Sequence, residues 1–165
     1  MSRAFVKENE DQATELPERP QSPHPNFVTP YGLNLLKQQL ADLEAAKKSH
    51  ASEGAFLDKE ALLVIERDLR YVQERLARAV PVDPAGQPRD RVEFGATVDT
   101  VDENDVTRHF QIVGEDEADP NIGKLSWVSP LALALKDAKV GDMVVWKRPA
   151  GDLELEILKI AYPAH

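Results

Sequence analysis

One run of residues constrains the chain more than any other. Leu62, Ile65, Leu69, Val72, Leu76 and Ala79 follow one another at spacings of three, four, three, four and three. That alternation is the a/d rhythm of a helix whose apolar stripe is narrow enough to face a single partner helix. An earlier stretch repeats it: Leu33, Leu36, Leu40 and Leu43 are spaced three, four and three. Thr29-Pro30 precedes it, a capping residue followed by the residue best suited to the first helical position. The rhythm fails between Glu44 and Phe56, where Ser49, Ser52 and Gly54 cluster. A turn there would fold the two stripes together, so residues 29–80 read as an antiparallel coiled-coil hairpin. Glu66–Arg70 and Glu74–Arg78 stand four apart in the favourable order and are expected to support the second helix.

Residues 1–28 have the opposite character. Pro17, Pro20, Pro23 and Pro25 fall among polar and acidic residues, and proline fixes φ and removes a backbone donor. This segment reads as an acidic, Pro-rich, flexible tail. The alternative is that it lies extended across the folded part, with Phe5, Val6, Leu16 and Phe27 as anchors. Residues 81–90 (PVDPAGQPRD) read as a linker.

A second domain is expected over residues 91–165. Val92–Val101 and Val106–Val113 are rich in β-branched and aromatic residues, and Asp102-Glu103-Asn104-Asp105 between them predicts a hairpin turn. Pro130–Lys136, with Ser129 as its cap, is a short helix candidate. Val140-Gly141-Asp142 and Pro149-Ala150-Gly151-Asp152 are turns around Met143–Arg148. Leu153–Ile157 alternates apolar and acidic residues, as a half-buried strand does. The fold class is therefore α+β: a helical hairpin followed by a small antiparallel sheet carrying one short helix.

Charge narrows the function. The formal net charge of −9 divides into −2 over residues 1–28, 0 over 29–80 and −7 over 81–165. No segment is basic overall, which disfavours direct, sequence-specific binding of nucleic acid. The chain has no cysteine, which removes disulfides and thiolate metal sites. No apolar run approaches a membrane span and MSRAFVKENEDQ lacks the core of a signal peptide, so a cytoplasmic protein is expected. His24, His50, His109 and His165 are scattered without ligand spacing, and phosphate-loop, dinucleotide and nucleophile-elbow motifs are absent. Gly114 and Gly123 read as turn residues. Trp127 and Trp146 read first as sheet core, with an exposed aromatic anchor for a protein partner as the functional alternative. Neither an enzyme nor a cofactor is expected.

Several motifs in order carry a resemblance. Phe94-Gly95-Ala96-Thr97-Val98, Ile112-Val113-Gly114-Glu115-Asp116-Glu117-Ala118-Asp119, Ser129-Pro130-Leu131-Ala132, Val140-Gly141-Asp142 and Pro149-Ala150-Gly151 resemble the C-terminal domain of the GreA/GreB transcription elongation factors. Thr29-Pro30-Tyr31-Gly32-Leu33 is similar to the opening of their first helix. The resemblance covers roughly residues 28–162. It implies an FKBP-like C-terminal domain that docks on RNA polymerase at the rim of the secondary channel, through Trp127, Val128, Ser129, Pro130 and Leu131. The hairpin tip would then act inside the channel, with Glu53, Asp58 and Glu60 as its acidic effectors. In the family the tip acids help hold a second Mg²⁺ of the polymerase, which activates water for cleavage of backtracked RNA. No metal site intrinsic to this chain is implied, and a monomer is expected.

The sequence departs from the family in three places. The family tip reads Gly-Asp-Leu-x-Glu-Asn, whereas here Ala55 follows Gly54 and no Glu-Asn pair exists. Each arm is about two helical turns short, a deficit of roughly 10 Å, against metal–oxygen distances of about 2–2.6 Å. Val128 stands where Asp or Asn often precedes Ser-Pro. The expectation is a polymerase-binding regulator of elongation with weak or absent cleavage stimulation. The alternatives are a cleavage stimulator with rearranged acids, or a regulator of another protein similar to the nucleoside diphosphate kinase regulators. A resemblance to FKBP is one of fold, and prolyl isomerase activity is not expected from it.

Overall fold

The computed structural model describes residues 16–52 and 59–163. It is a mixed α+β chain that divides into two compact units. Among the described residues, one comprises 16–24, 36–52 and 59–78, the other 25–35 and 79–163.

In the first unit, α1 (Pro30–Ser52) contributes its residues from Leu36 onward, and α2 (Lys59–Ala77) lies wholly within it. Leu36, Leu69 and Val72 of the expected stripes are buried. Leu40, Leu43, Leu62, Ile65 and Leu76 are half-buried, as in a narrow seam with solvent on both sides. Lys47 of α1 lies 3.8 Å from Glu66 of α2. Three sequence expectations are corrected here. The second helix ends at Ala77, and Ala79 begins a strand, because the spacing of three continues by coincidence past the helix end. Glu66 does not pair with Arg70: its carboxylate meets Lys47, and the Arg70 guanidinium grips Glu18, 52 positions away. Arg78 likewise donates to the carbonyl of Ser22 rather than closing on Glu74. The segment from Leu16 to His24, read as part of a flexible tail, thus lies along α2.

The second unit is built on two sheets. β1 (Asn26–Val28) and β2 (Ala79–Pro81) form a parallel ribbon with Asn26 opposite Ala79 and Val28 opposite Pro81. The end of the expected tail and the junction of the expected hairpin and linker are therefore strands, and Pro84–Gly86 adds a 3₁₀ turn capped by Asp83. The larger sheet contains β3 (Thr97–Asp102), β4 (Thr107–Val113), β5 (Lys124–Ser126), β6 (Met143–Trp146) and β7 (Leu153–Ala161) in the order β5-β4-β3-β7-β6. It is mixed rather than antiparallel throughout: β4 and β5 run parallel, with Ile112 opposite Leu125. A second 3₁₀ turn (Pro120–Ile122), closed by Gly123 at φ 76°, delivers the chain to β5 in that direction.

Period-two burial builds the core. Val98 and Thr100 of β3 point inward, as do Leu153, Leu155 and Ile157 of β7, while Glu154 and Glu156 face water. The short helix α3 (Pro130–Leu135) adds Leu131, Ala132 and Leu135 to this core. Gly114 is more than a turn residue: a Cβ there would sit 2.4 Å from the Phe27 carbonyl oxygen, so only glycine lets β1 pass so close.

Candidate docking site

The five residues expected to dock form the passage from β5 into α3. The Trp127 backbone N–H donates to the Val113 carbonyl at 2.9 Å, which extends the β4–β5 pairing by one residue. The chain then turns on Ser126. Its carbonyl accepts from the Ser129 N–H at 2.9 Å and from the Ser129 hydroxyl at 2.7 Å, and its hydroxyl accepts from the Val128 N–H at 3.3 Å. Ser129 caps α3: its hydroxyl oxygen accepts from the Ala132 N–H at 3.4 Å. Pro130 occupies the first helical position, where its missing N–H leaves no bond unmade.

These bonds give the five side chains different fates. Pro130 is exposed, while Trp127, Val128 and Ser129 are half-buried. Leu131 is 4% exposed and belongs to the core, so its contribution to any contact is to hold α3 down. Leu133 is 56% exposed and stands three residues after Pro130, on the same side of the helix. The i, i+3 relation in Pro130-Leu131-Ala132-Leu133 is the sequence signal for it.

Behind this passage the rings cluster. Trp127 meets Phe27 edge-on, with centroids 5.0 Å apart, and Phe27 lies 6.0 Å from Phe94. These three rings, with Val92, Ile112 and Ala132, line a cavity of about 240 Å³ that Glu93 and Lys136 also line. Burial raises the Glu93 carboxyl above its ordinary range, and its hydrogen bond and charge repulsion with Asp137 push the same way. Arg91, 3.3 Å from Glu93 and 3.9 Å from Asp137, opposes them.

The acidic turn after β4 has a structural task. Glu117 is buried, and its carboxylate accepts from the Thr29 hydroxyl and from the Lys124 ammonium, the latter at 3.2 Å. Thr29 in turn accepts from the Gly32 N–H at 3.0 Å, and Lys124 sits 4.3 Å from the Tyr31 ring centroid. The first turn of α1 is thereby fastened to the turn between β4 and β5.

Of the three tip acids, Glu53 and Asp58 lie outside the described residues. Glu60 is exposed in the first turn of α2, where an acid is favoured by the helix dipole. Among the described residues no three His, Asp or Glu side chains converge to hold a metal ion. His109 pairs with Asp99 across β3 and β4 on the exposed sheet face. Among the described residues no helix is long and apolar enough to cross a membrane.

Comparison with known proteins agrees with the motifs. A family described as "Transcription elongation factor, GreA/GreB, C-term" matches residues 87–162, which includes the whole passage from β3 through α3 to β7. Transcription elongation factor GreB of Neisseria meningitidis serogroup B is 36% identical over 153 residues, covering 83% of this chain and 94% of that protein. Transcription elongation factor GreA of Trichlorobacter lovleyi is 44% identical over 124 residues, covering 72% of this chain and 77% of that protein. Among solved structures, a prokaryotic transcription elongation factor GreA/GreB from Nitrosomonas europaea is 25% identical, covers 83% of this chain and 99% of that one, and superposes at a TM-score of 0.42.

Proposed function

The chain belongs to the GreA/GreB family of transcription elongation factors, and from that premise we propose that it is a Gre-like factor that binds RNA polymerase at the secondary channel and regulates elongation with little or no stimulation of transcript cleavage. In this reading residues 79–163 form an FKBP-like docking domain, and α1 and α2 pair as an antiparallel coiled-coil hairpin that enters the channel. The observation that carries it is the surface presented by α3. A serine cap and three hydrogen bonds to Ser126 fix the N-terminal end of this helix, and Pro130 stands exposed there with Leu133 one turn on. Preset apolar side chains on a rigid element suit a protein interface, since little entropy is lost on contact.

The reading on cleavage rests on the arms. α1 has 23 residues and α2 has 19; at 1.5 Å per residue they measure roughly 35 and 28 Å. With Ala55 after Gly54, the tip lacks the acid that the family motif places there. A carboxylate several ångström short of the catalytic metal contributes no coordination.

The test is binding of the purified chain to RNA polymerase core enzyme, followed by a transcript-cleavage assay. Wild type is expected to bind, Pro130→Asp to bind at least tenfold more weakly, and cleavage to remain near the factor-free rate. Absence of binding at micromolar protein would overturn the docking reading. Strong cleavage that is lost in Glu53→Ala, Asp58→Ala or Glu60→Ala would overturn the reading of the tip and leave docking intact.

A further inference from the structure

Residues 16–24 take no part in the proposed docking surface, yet the structure gives them specific partners. Pro17, Pro20 and Pro23 recur every three residues, the period of a polyproline II helix, and they are exposed. The residues between them turn toward α2. The Arg70 guanidinium holds the Glu18 carboxylate through Nε at 2.9 and 3.1 Å and through Nη2 at 2.6 Å, a two-pronged grip. Arg19 donates to Asp68 at 3.3 Å and lies 3.8 Å over the ring of Tyr71. The Gln21 side-chain amide donates to the Tyr71 carbonyl at 3.2 Å, and Arg78 donates to the Ser22 carbonyl at 3.2 Å. As the number rises from 18 to 22, the contact moves from residues 68–71 to residue 78. The segment therefore runs parallel to α2.

We propose that residues 18–22 are a releasable strap: an intramolecular ligand for the outer face of α2, with Asp68, Arg70 and Tyr71 as its receptor. The chemistry of the contact supports release. The contacts just described are ion pairs, a cation–π contact and hydrogen bonds; Leu16 and the prolines are exposed, and Gln21 and Ser22 are half-buried. Such contacts weaken with salt. Leu69 and Val72 of α2 are buried apolar residues, whose burial salt does not weaken. A lone exposed ion pair is worth little, but these contacts share one rigid partner, and prolines lower the entropy lost when the strap settles. Detachment leaves α2 folded and bares Arg70, Tyr71 and Asp68. The strap thus switches the outer face of one arm between a neutralised, proline-ridged surface and an open one carrying a guanidinium and a ring.

The absence of cysteine makes the test clean. A nitroxide is attached to the full chain at Leu16→Cys, and its broadening of the Arg70 and Tyr71 amide signals is measured. Strong broadening is expected at low salt, falling severalfold in about 1 M salt, where the screening length is near 3 Å. Glu18→Arg and Arg70→Glu should each reduce it severalfold, and the double exchange should restore it, with the helical circular dichroism constant throughout. No broadening at low salt, or broadening that survives both single reversals, would overturn the strap. A reversal that abolishes the helical signal would overturn its release, because the segment would then be part of the fold.

Discussion

The hydroxyl of Thr29 hydrogen-bonds the buried carboxylate of Glu117, 88 positions away, while accepting from the Gly32 N–H that opens α1. One side chain thus caps a helix and ties it to a turn of the sheet domain. Replacing it removes both functions and leaves Glu117 with Lys124 as its remaining partner among those described above.

Thr29→Val should therefore destabilise the chain by about 2 kcal/mol, the sum of a lost cap and a buried hydrogen bond. Thr29→Ser, which keeps the hydroxyl, should lose less than half of that. Urea denaturation followed by circular dichroism decides it. A loss in Thr29→Ser as large as that in Thr29→Val would refute the assignment, because serine keeps the hydroxyl that makes both bonds.

Glycine substitutions separate close approach from mere flexibility. Gly114→Ala drives a methyl to within 2.4 Å of the Phe27 carbonyl and should cost about 1–3 kcal/mol by pushing β1 outward. Gly86→Ala meets nothing within 4 Å and should be close to neutral. Thermal midpoints of the two variants, compared with wild type, test this pair.

Asp102 provides a pH dependence of known sign. Arg108, at 2.6 Å, holds its carboxyl below the ordinary range, assisted by the backbone N–H groups of Val106 and Asn104 and opposed by burial. Because the folded value is depressed, its contribution is complete above the unfolded value of about 3.9. It is lost as pH falls from there through the folded value. Wild type should lose stability over that interval more steeply than Asp102→Asn, which retains an acceptor for the turn but no titrating charge. Parallel slopes in denaturation measured from pH 6 to pH 2 would refute the assignment.

Neighbours at the start of α3 should respond in opposite ways. Leu131→Ala empties a core position and should cost about 2–4 kcal/mol. Pro130→Asp lies on the surface and should change stability by no more than about 0.5 kcal/mol. If the docking reading holds, polymerase binding by folded protein reverses the ranking: the Asp variant loses it and the Ala variant keeps most of it.

Local rules and long-range pairing explain which features were legible in the sequence. The leucine stripes, the Ser129–Pro130 helix start and the alternation of Leu153–Ile157 depend on residues a few positions apart, and they stand where the spacing put them. The parallel ribbon of β1 and β2 was not legible. Each strand has three residues, too few to show alternation, and each finds its partner across the whole helical segment. The parallel β4–β5 pair escaped because β5 has only three residues, too few to show alternation. Arg70 had an acceptable local partner in Glu66, and nothing local could show that Glu18 would take it. Between Trp127 and Leu131, residue types signalled a helix start but not which of its side chains would be buried. Only the packing of α3 separated exposed Pro130 from buried Leu131, and brought Phe27 from a presumed tail against Trp127.

The β1–β2 ribbon has a consequence for how such chains vary. Asn26 and Ala79 lie side by side at the two ends of everything that α1 and α2 contain. In topological terms the helical segment is an insertion whose entry and exit are stitched together before it begins. Closing a longer excursion costs only about 0.6 kcal/mol per doubling of its length. Matched gains or losses of whole helical turns in the two arms are therefore nearly invisible to the sheet domain. Helix length can therefore drift or be selected without disturbing the strands that bracket it, which leaves the two parts of the chain separately adjustable.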